Sequence, residues 1–215
     1  MRKKRKTKSL DRSRRGFLLT MAGVAVLAPG VWAKEYSGLF HGNKPGKRKS
    51  PVSPPGSVSQ EHLLHRCTSC HLCIRKCPSK ILRPSLLEYG LEGFMQPLLD
   101  FRNGFCKYDC KVCSEVCPSG AILSQTLENK RKLQIGLAVY RRENCLSYTG
   151  ERNCSACMFN CPTDAITMGY DANDRLRPFV DLQKCLGCGA CEHVCPGSPS
   201  PAFQVEGKIV HKRLK

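Results

Sequence analysis

The chain of 215 residues has one tryptophan, only 17 acidic side chains against 35 basic ones, and no apolar run of membrane-span length. Each shortage excludes something. The longest apolar stretch, GFLLTMAGVAVLA from Gly16, covers about a dozen residues where a helical span needs about 20. The shortage of acid gives a net charge of +18, which on its own would point to nucleic acid. Nine of the basic residues, however, fall within the first 15 positions, so a large part of the excess is a terminal feature rather than a binding face. The lone tryptophan, Trp32, stands just before a small-residue site ending at Ala33. No constellation for substrate chemistry is present either.

What the chain has in abundance is cysteine, 16 residues, and all of them fall into four runs. The runs read CTSCHLCIRKCP (67–78), CKYDCKVCSEVCP (106–118), CLSYTGERNCSACMFNCP (145–162) and CLGCGACEHVCP (185–196). Runs one and four are C-x2-C-x2-C-x3-C-P; run two widens the first gap to three residues and run three to eight, and all keep C-x2-C-x3-C-P at the end. In the bacterial ferredoxin run, three close cysteines reach three irons of one cubane while the fourth ligates the other cluster of a pair. Zinc sites close with four ligands and give no reason for this run four times. Disulfides suit an exported chain, but cysteines two apart in four like runs are poorly placed to pair with one another. The first three cysteines of run two also resemble the C-x3-C-x2-C motif of radical S-adenosylmethionine enzymes. Only 98 residues follow Cys117, too few for a barrel-sized domain, and Cys117 stands ready as a further ligand. The three-residue gap therefore reads as a loop variation, and the chain as a wire rather than an enzyme.

Sixteen cysteines suffice for four 4Fe-4S clusters, and all sixteen are then ligands: Cys67, Cys70, Cys73, Cys77, Cys106, Cys110, Cys113, Cys117, Cys145, Cys154, Cys157, Cys161, Cys185, Cys188, Cys191 and Cys195. Four such clusters, at about −2 each when oxidised, would offset most of the positive charge left after the terminal stretch, so no nucleic-acid partner is expected. Pairing adjacent runs gives the sites Cys67, Cys70, Cys73 and Cys117; Cys77, Cys106, Cys110 and Cys113; Cys145, Cys154, Cys157 and Cys195; and Cys161, Cys185, Cys188 and Cys191. Nested pairing, run one with four and two with three, uses the same sixteen residues. His71 and His193 lie inside runs at non-ligand positions and read as local hydrogen-bonding residues. Lys76, Lys107, Lys111, Arg152 and Lys184 stand beside ligands, where positive charge would favour the reduced cluster.

Before the runs, a basic region, the apolar stretch and the small-residue site make a secretory signal over 1–33 with cleavage after Ala33. Ser13, Arg14, Arg15, Gly16, Phe17, Leu18 and Leu19 resemble a twin-arginine signal, which carries folded proteins to the periplasm. Residues 34–60, with four prolines and four glycines, read as a flexible linker. Two ferredoxin modules follow, 61–128 and 129–215, in an α+β fold. Leu133, Ile135, Leu137 and Val139 alternate as a half-buried strand leading into Cys145, and Phe179 and Val180 lead into Cys185. FQVEGKIV (203–210) reads as a hairpin turning at Glu206 and Gly207. Short helices are expected behind the last cysteine of runs two and three, where Ala121 and Ala165 allow close packing. Gly187 and Gly189 allow close backbone approach. Leu82, Leu86, Leu87, Leu91, Phe94, Met95, Leu98 and Leu99 form an apolar group that reads as packing between modules, with a docking surface for a membrane partner as the alternative.

VCPSGAI in run two, IGLAVYRRENCLSYTGERNCSACMFNCP around run three and CLGCGACEHVC in run four resemble the NapG/MauM-type ferredoxin proteins over roughly 60–205. The segment between runs one and two looks closer to modules of membrane-bound NapH-type polyferredoxins. The resemblance implies two tandem bacterial-type 2×(4Fe-4S) modules and a periplasmic electron carrier. Its partners would be a membrane-bound NapH-type polyferredoxin or quinol dehydrogenase and a periplasmic redox enzyme such as a nitrate reductase. A cluster-bearing assembly or sensing factor for an exported metalloenzyme is the reading from another class.

Overall fold

Short elements dominate, because a run of four cysteines with one or two residues between them leaves little chain for regular structure. The computed structural model describes residues 48–214; the expected signal and most of the expected linker lie outside them. Helix α1 (Gln60–Arg66) starts at Ser59, whose hydroxyl accepts the His62 N–H at 3.0 Å, and it buries Leu63 before ending at Cys67. Helix α2 (Leu72–Lys76) carries Cys73. Strands β1 (Leu82–Pro84) and β2 (Pro97–Leu99) then pair antiparallel, Leu82 opposite Leu99. Helix α3 (Val112–Glu115) carries Cys113, and α4 (Leu127–Arg131) is capped by Thr126.

The second half is framed by strands. Strand β3 (Leu133–Tyr140) pairs antiparallel with β6 (Phe203–Arg213), the last long strand of the chain. Between them come α5 (Leu146–Thr149), α6 (Ala156–Phe159) with Cys157, the hairpin β4 (Ile166–Tyr170) and β5 (Leu176–Val180), and α7 (Ala190–His193) with Cys191. Each run thus has a one-turn helix at its third cysteine, and α5 lies in the wide first gap of run three. A helix behind run three is not found: the chain goes from turns straight into β4, while the helix behind run two, α4, begins only after a further loop.

Three other expectations are corrected. Phe203–Arg213 is one strand, not a hairpin. Glu206 does not turn the chain; its carboxylate accepts the N–H groups of Lys49 at 2.8 Å and Ser50 at 3.0 Å, and Gly207 lies against the Pro51 backbone, where a Cβ would overlap. Strand β3 is present, but its buried residues are Gln134, Ile135, Gly136 and Ala138, while Val139 is exposed. The register shifts between Gln134 and Gly136, and an irregularity of this kind moves later side chains to the other face. Finally, residues 52–57 of the expected linker are buried, with Val52 and Ser53 wholly so.

Residues 48–59 behave as a substitute strand. The Leu99 N–H donates to the Val52 carbonyl at 2.8 Å, Leu123 N–H to Gly56 at 2.9 Å, Gly207 N–H to Ser50 at 3.1 Å and His211 N–H to Val58 at 2.7 Å. Backbone polar groups of a buried segment must be satisfied somewhere, and these bonds do it. The larger apolar core joins Val52, Leu63, Ile81, Leu82, Leu99, Phe101 and Ile122 to Ile135 and Val205 of the second half. A smaller one gathers Ala138, Ala165, Ile166 and Phe203. The expected boundary between 128 and 129 therefore runs through a shared core. Of the apolar group around β1 and β2, Leu82, Leu98 and Leu99 are buried, whereas Leu86, Leu87, Leu91 and Phe94 at the tip are exposed. No helix among the described residues is long and apolar enough to cross a membrane.

Candidate functional site

The four runs fold back on one another so that cysteines distant in the chain share a cavity. The first group is Cys67, Cys70, Cys73 and Cys117, close enough that the charges of Cys70 and Cys117 help to raise the thiol pKa of Cys67 and Cys73. A second cavity is lined by Cys77, Cys106, Cys110 and Cys113, with Pro78 and Ile81. The third is lined by Cys145, Cys154, Cys157 and Cys195. The fourth is lined by Cys161, Cys185, Cys188 and Cys191, with Ala165. Every group takes three cysteines from one run and one from its neighbour, following the adjacent order of the runs. Among the described residues no three His, Cys, Asp or Glu side chains converge as they would on a single ion. Thiolates spread round a cavity suit a cubane, in which each of four irons takes one sulfur.

The local geometry explains the crossing. In runs one and four the residues on either side of the second cysteine are left-handed: Ser69 at φ 52° and His71 at 60°, Gly187 at 75° and Gly189 at 83°. These turns curl the first three cysteines round one cavity, and the one-turn helix that follows carries the fourth away. Run four needs glycine at both places. A Cβ on Gly187 would come within 2.5 Å of the Gly136 backbone, and one on Gly189 would overlap the Phe101 ring. In run one the His71 ring instead bonds the Met95 carbonyl at 2.8 Å. His193 bonds the Phe101 carbonyl at 3.2 Å, so both histidines are occupied by the backbone.

Electrostatics make these cavities costly for bare thiolates. Burial, then the negative charge of neighbouring thiols, pushes Cys73 and Cys157 up to about 12; burial and nearby thiols also raise Cys188 to about 12. Cys113 and Cys191 are raised for the same reasons. A cluster's irons supply the missing positive charge, so the donor set fits the group that its spacing implies. Three of the fourth cysteines are helped by the backbone. The Ile122 N–H donates to the Cys117 sulfur at 3.4 Å, Ala165 N–H to Cys161 at 3.3 Å and Ala202 N–H to Cys195 at 3.1 Å. At Cys117 burial pushes the thiol up, but the bonds from Ile122, Ser119 and Ala121 outweigh it and hold the thiol below its ordinary value.

Lys130 was not visible in the spacing. It is a buried lysine on α4, outside every run, whose ammonium donates to the Tyr108 carbonyl at 3.1 Å and to the Lys107 carbonyl. Its charge partly offsets the burial that raises Cys106. Among the basic residues noted beside ligands, Lys111 pairs with Glu115 at 3.0 Å and Lys184 with Asp181 at 3.7 Å, both exposed enough to be weak. A second buried pair, Arg48 with Glu192, ties residue 48 to α7. Nothing in sequence spacing signals either Lys130 or Arg48.

Paired cysteine cavities in a small mixed helix and strand fold define a ferredoxin-type iron–sulfur protein. The family described as "4Fe-4S dicluster domain" matches residues 66–146 and again 152–198, so two such domains stand in tandem. The chain is 35% identical over 154 residues to the ferredoxin-type protein NapG of Escherichia coli, covering 67% of this chain and 65% of NapG. It is 38% identical over 152 residues to the methylamine utilization ferredoxin-type protein MauM of Methylorubrum extorquens, covering 67% of each. The ferredoxin-type protein NapF of Escherichia coli is 29% identical over 189 residues, covering 88% of this chain and 93% of NapF. The chain belongs to the NapG/MauM family of ferredoxin-type proteins, and it spans just under two thirds of the length of NapG.

Proposed function

We propose that this chain passes single electrons through four 4Fe-4S clusters, one in each cysteine group, between a membrane quinol-oxidising complex and a periplasmic redox enzyme. The observation that carries the reading is the crossed grouping: sixteen cysteines divide into four sets of four, with none left over. Each cluster, when bound, supplies one reversible electron. The protein's part is to hold and tune. Crossing ties two cavities into each half, so their spacing is set by covalent chain rather than by docking. N–H groups of Ile122, Ala165 and Ala202 favour the more negative reduced state at Cys117, Cys161 and Cys195. Cys73, Cys157, Cys185 and Cys191 are buried away from water.

The twin-arginine reading of residues 13–19 makes the site of action periplasmic, with cluster assembly before export, and the resemblance supports a NapH-type polyferredoxin or quinol dehydrogenase as donor. The test has two parts. Anaerobically reconstituted protein should hold about sixteen irons and as many sulfides, the stoichiometry of four cubanes, and should be reduced by membranes supplied with quinol. An iron count near eight, or a full count with no quinol-dependent reduction, would overturn the corresponding part. Arg14→Lys with Arg15→Lys should keep the precursor in the cytoplasm; undiminished export would remove the twin-arginine assignment.

A further inference from the structure

The order of the four cysteine groups in space differs from the order of the runs in the chain. Within each half the groups are joined by exchanged cysteines: Cys77 goes to the second group and Cys117 to the first, Cys161 to the fourth and Cys195 to the third. Between the halves, the contact is made by one group from each. The Cys106 N–H donates to the Cys188 carbonyl at 2.9 Å, and beside it the Ile135 N–H donates to the Leu186 carbonyl at 2.9 Å. Gly187 lies on the backbone of Gly136. Cys106, Lys130, Leu186 and Cys188 line one small cavity between the two groups. Cys106 belongs to the second group and Cys188 to the fourth. The third group sits beyond, in a cavity lined by second-half residues, among them Pro178, Pro196 and Phe203.

We propose that electrons cross this protein in the order first, second, fourth, third group, with the Cys106–Cys188 backbone contact as the step between halves. The proposal rests on the reading that each group holds one 4Fe-4S cluster. One electron leaves a donor, reduces a terminal cluster, and moves on as each cluster is oxidised by the next, until the acceptor is reduced; no bond is made or broken and no proton is required. Tunnelling falls steeply with distance, so a direct hydrogen bond between residues that bear the sulfurs makes the second and fourth clusters neighbours. The terminal clusters are then the first and the third. Cys70 of the first group is the one exposed cysteine of the sixteen. At the other end lies the wide first gap of run three, which includes α5.

Magnetic coupling in the fully reduced protein tests the order, since neighbouring paramagnetic clusters broaden and split one another's signals. Cys185→Ser, emptying the fourth group, should leave the third cluster with an isolated signal while the first and second stay coupled. Cys154→Ser, emptying the third, should leave the other three coupled. If instead the third remains coupled after Cys185→Ser, or the fourth becomes isolated after Cys154→Ser, electrons follow the chain order and the proposal is wrong. Cys191→Ser and Cys157→Ser empty the same two groups should the first pair fail to load iron. Iron and sulfide in the wild type separate the two levels. A wild type short of four clusters removes the underlying reading, whereas four clusters with the opposite coupling pattern removes only the order.

Discussion

The two halves of this protein carry the same pair of cysteine runs on unequal frames. The second half has both strand pairs that enclose its runs, β3 with β6 outside and β4 with β5 between. Among the described residues the first half has only the inner hairpin of β1 and β2, three residues a side. Where an outer pair would stand it has residues 48–59, bonded once to β2 at Leu99 and once to Leu123. It makes up the deficit by leaning on its neighbour. Phe101 is buried under Gly189, Arg48 reaches Glu192, and Ile135 and Val205 complete the first core. A module with an incomplete frame can still hold two clusters if a complete one buttresses it.

That dependence can be broken at one glycine. Gly150 and Gly189 have nearly the same left-handed backbone, φ 82° and 83°, but a Cβ on Gly150 meets nothing whereas one on Gly189 enters the Phe101 ring. Gly150→Ala should therefore cost only the left-handed penalty, about 1–2 kcal/mol. Gly189→Ala adds overpacking of about 1–3 kcal/mol, for a total of roughly 2–5 kcal/mol. Thermal unfolding reads the difference, and iron loss in Gly189→Ala should begin in the first and second groups although the substitution lies in the second half. Equal effects from the two variants would mean that the first half stands alone.

A smaller effect sharpens the same comparison at the seam between residues 48–59 and β6. His211 bonds the Ser53 hydroxyl at 2.8 Å, and burial lowers its pKa from 6.5 to about 4. The unfolded chain therefore binds more protons than the folded one between those two values. Stability is complete above pH 6.5 and falls as the pH drops toward 4, by up to about 3 kcal/mol. His211→Gln should flatten this slope between pH 4 and 6.5, measured by thermal unfolding; an unchanged slope would assign it to other groups.

The smallest effect concerns tuning. Lys130→Met removes the buried positive charge beside Cys106 and should lower the potential of the second cluster most. A charge worth about 1.4 kcal/mol corresponds to about 59 mV for a one-electron couple. A redox titration followed by electron paramagnetic resonance checks it, with the third cluster as internal control.

The first three cysteines of each run were legible as a set, because spacing of two or three residues restricts which sulfurs can share a cavity, but spacing left adjacent and nested placement of the fourth both open. The frame was less so. Glu206 and Gly207 look like a turn in sequence, yet the N–H groups of Lys49 and Ser50 claim the Glu206 carboxylate and keep the strand running. Alternation in β3 pointed to Val139, but the irregularity after Gln134 buries Ala138 instead. Proline and serine gave residues 48–59 the composition of a linker. Their burial follows from partners up to 158 residues away, such as His211, whose ring bonds the Ser53 hydroxyl at 2.8 Å, and no local pattern encodes that.

The crossed ligation on which the account depends can be tested at Cys117, which closes run two but lies with Cys67, Cys70 and Cys73. The decisive measurement is the paramagnetic resonance spectrum of reduced Cys117→Ser. The account predicts a changed signal for the cluster that Cys70→Ser also alters, with the cluster altered by Cys110→Ser left intact. If Cys117→Ser and Cys110→Ser instead strike the same cluster and Cys70→Ser spares it, run two keeps its own fourth ligand and the crossed arrangement is contradicted.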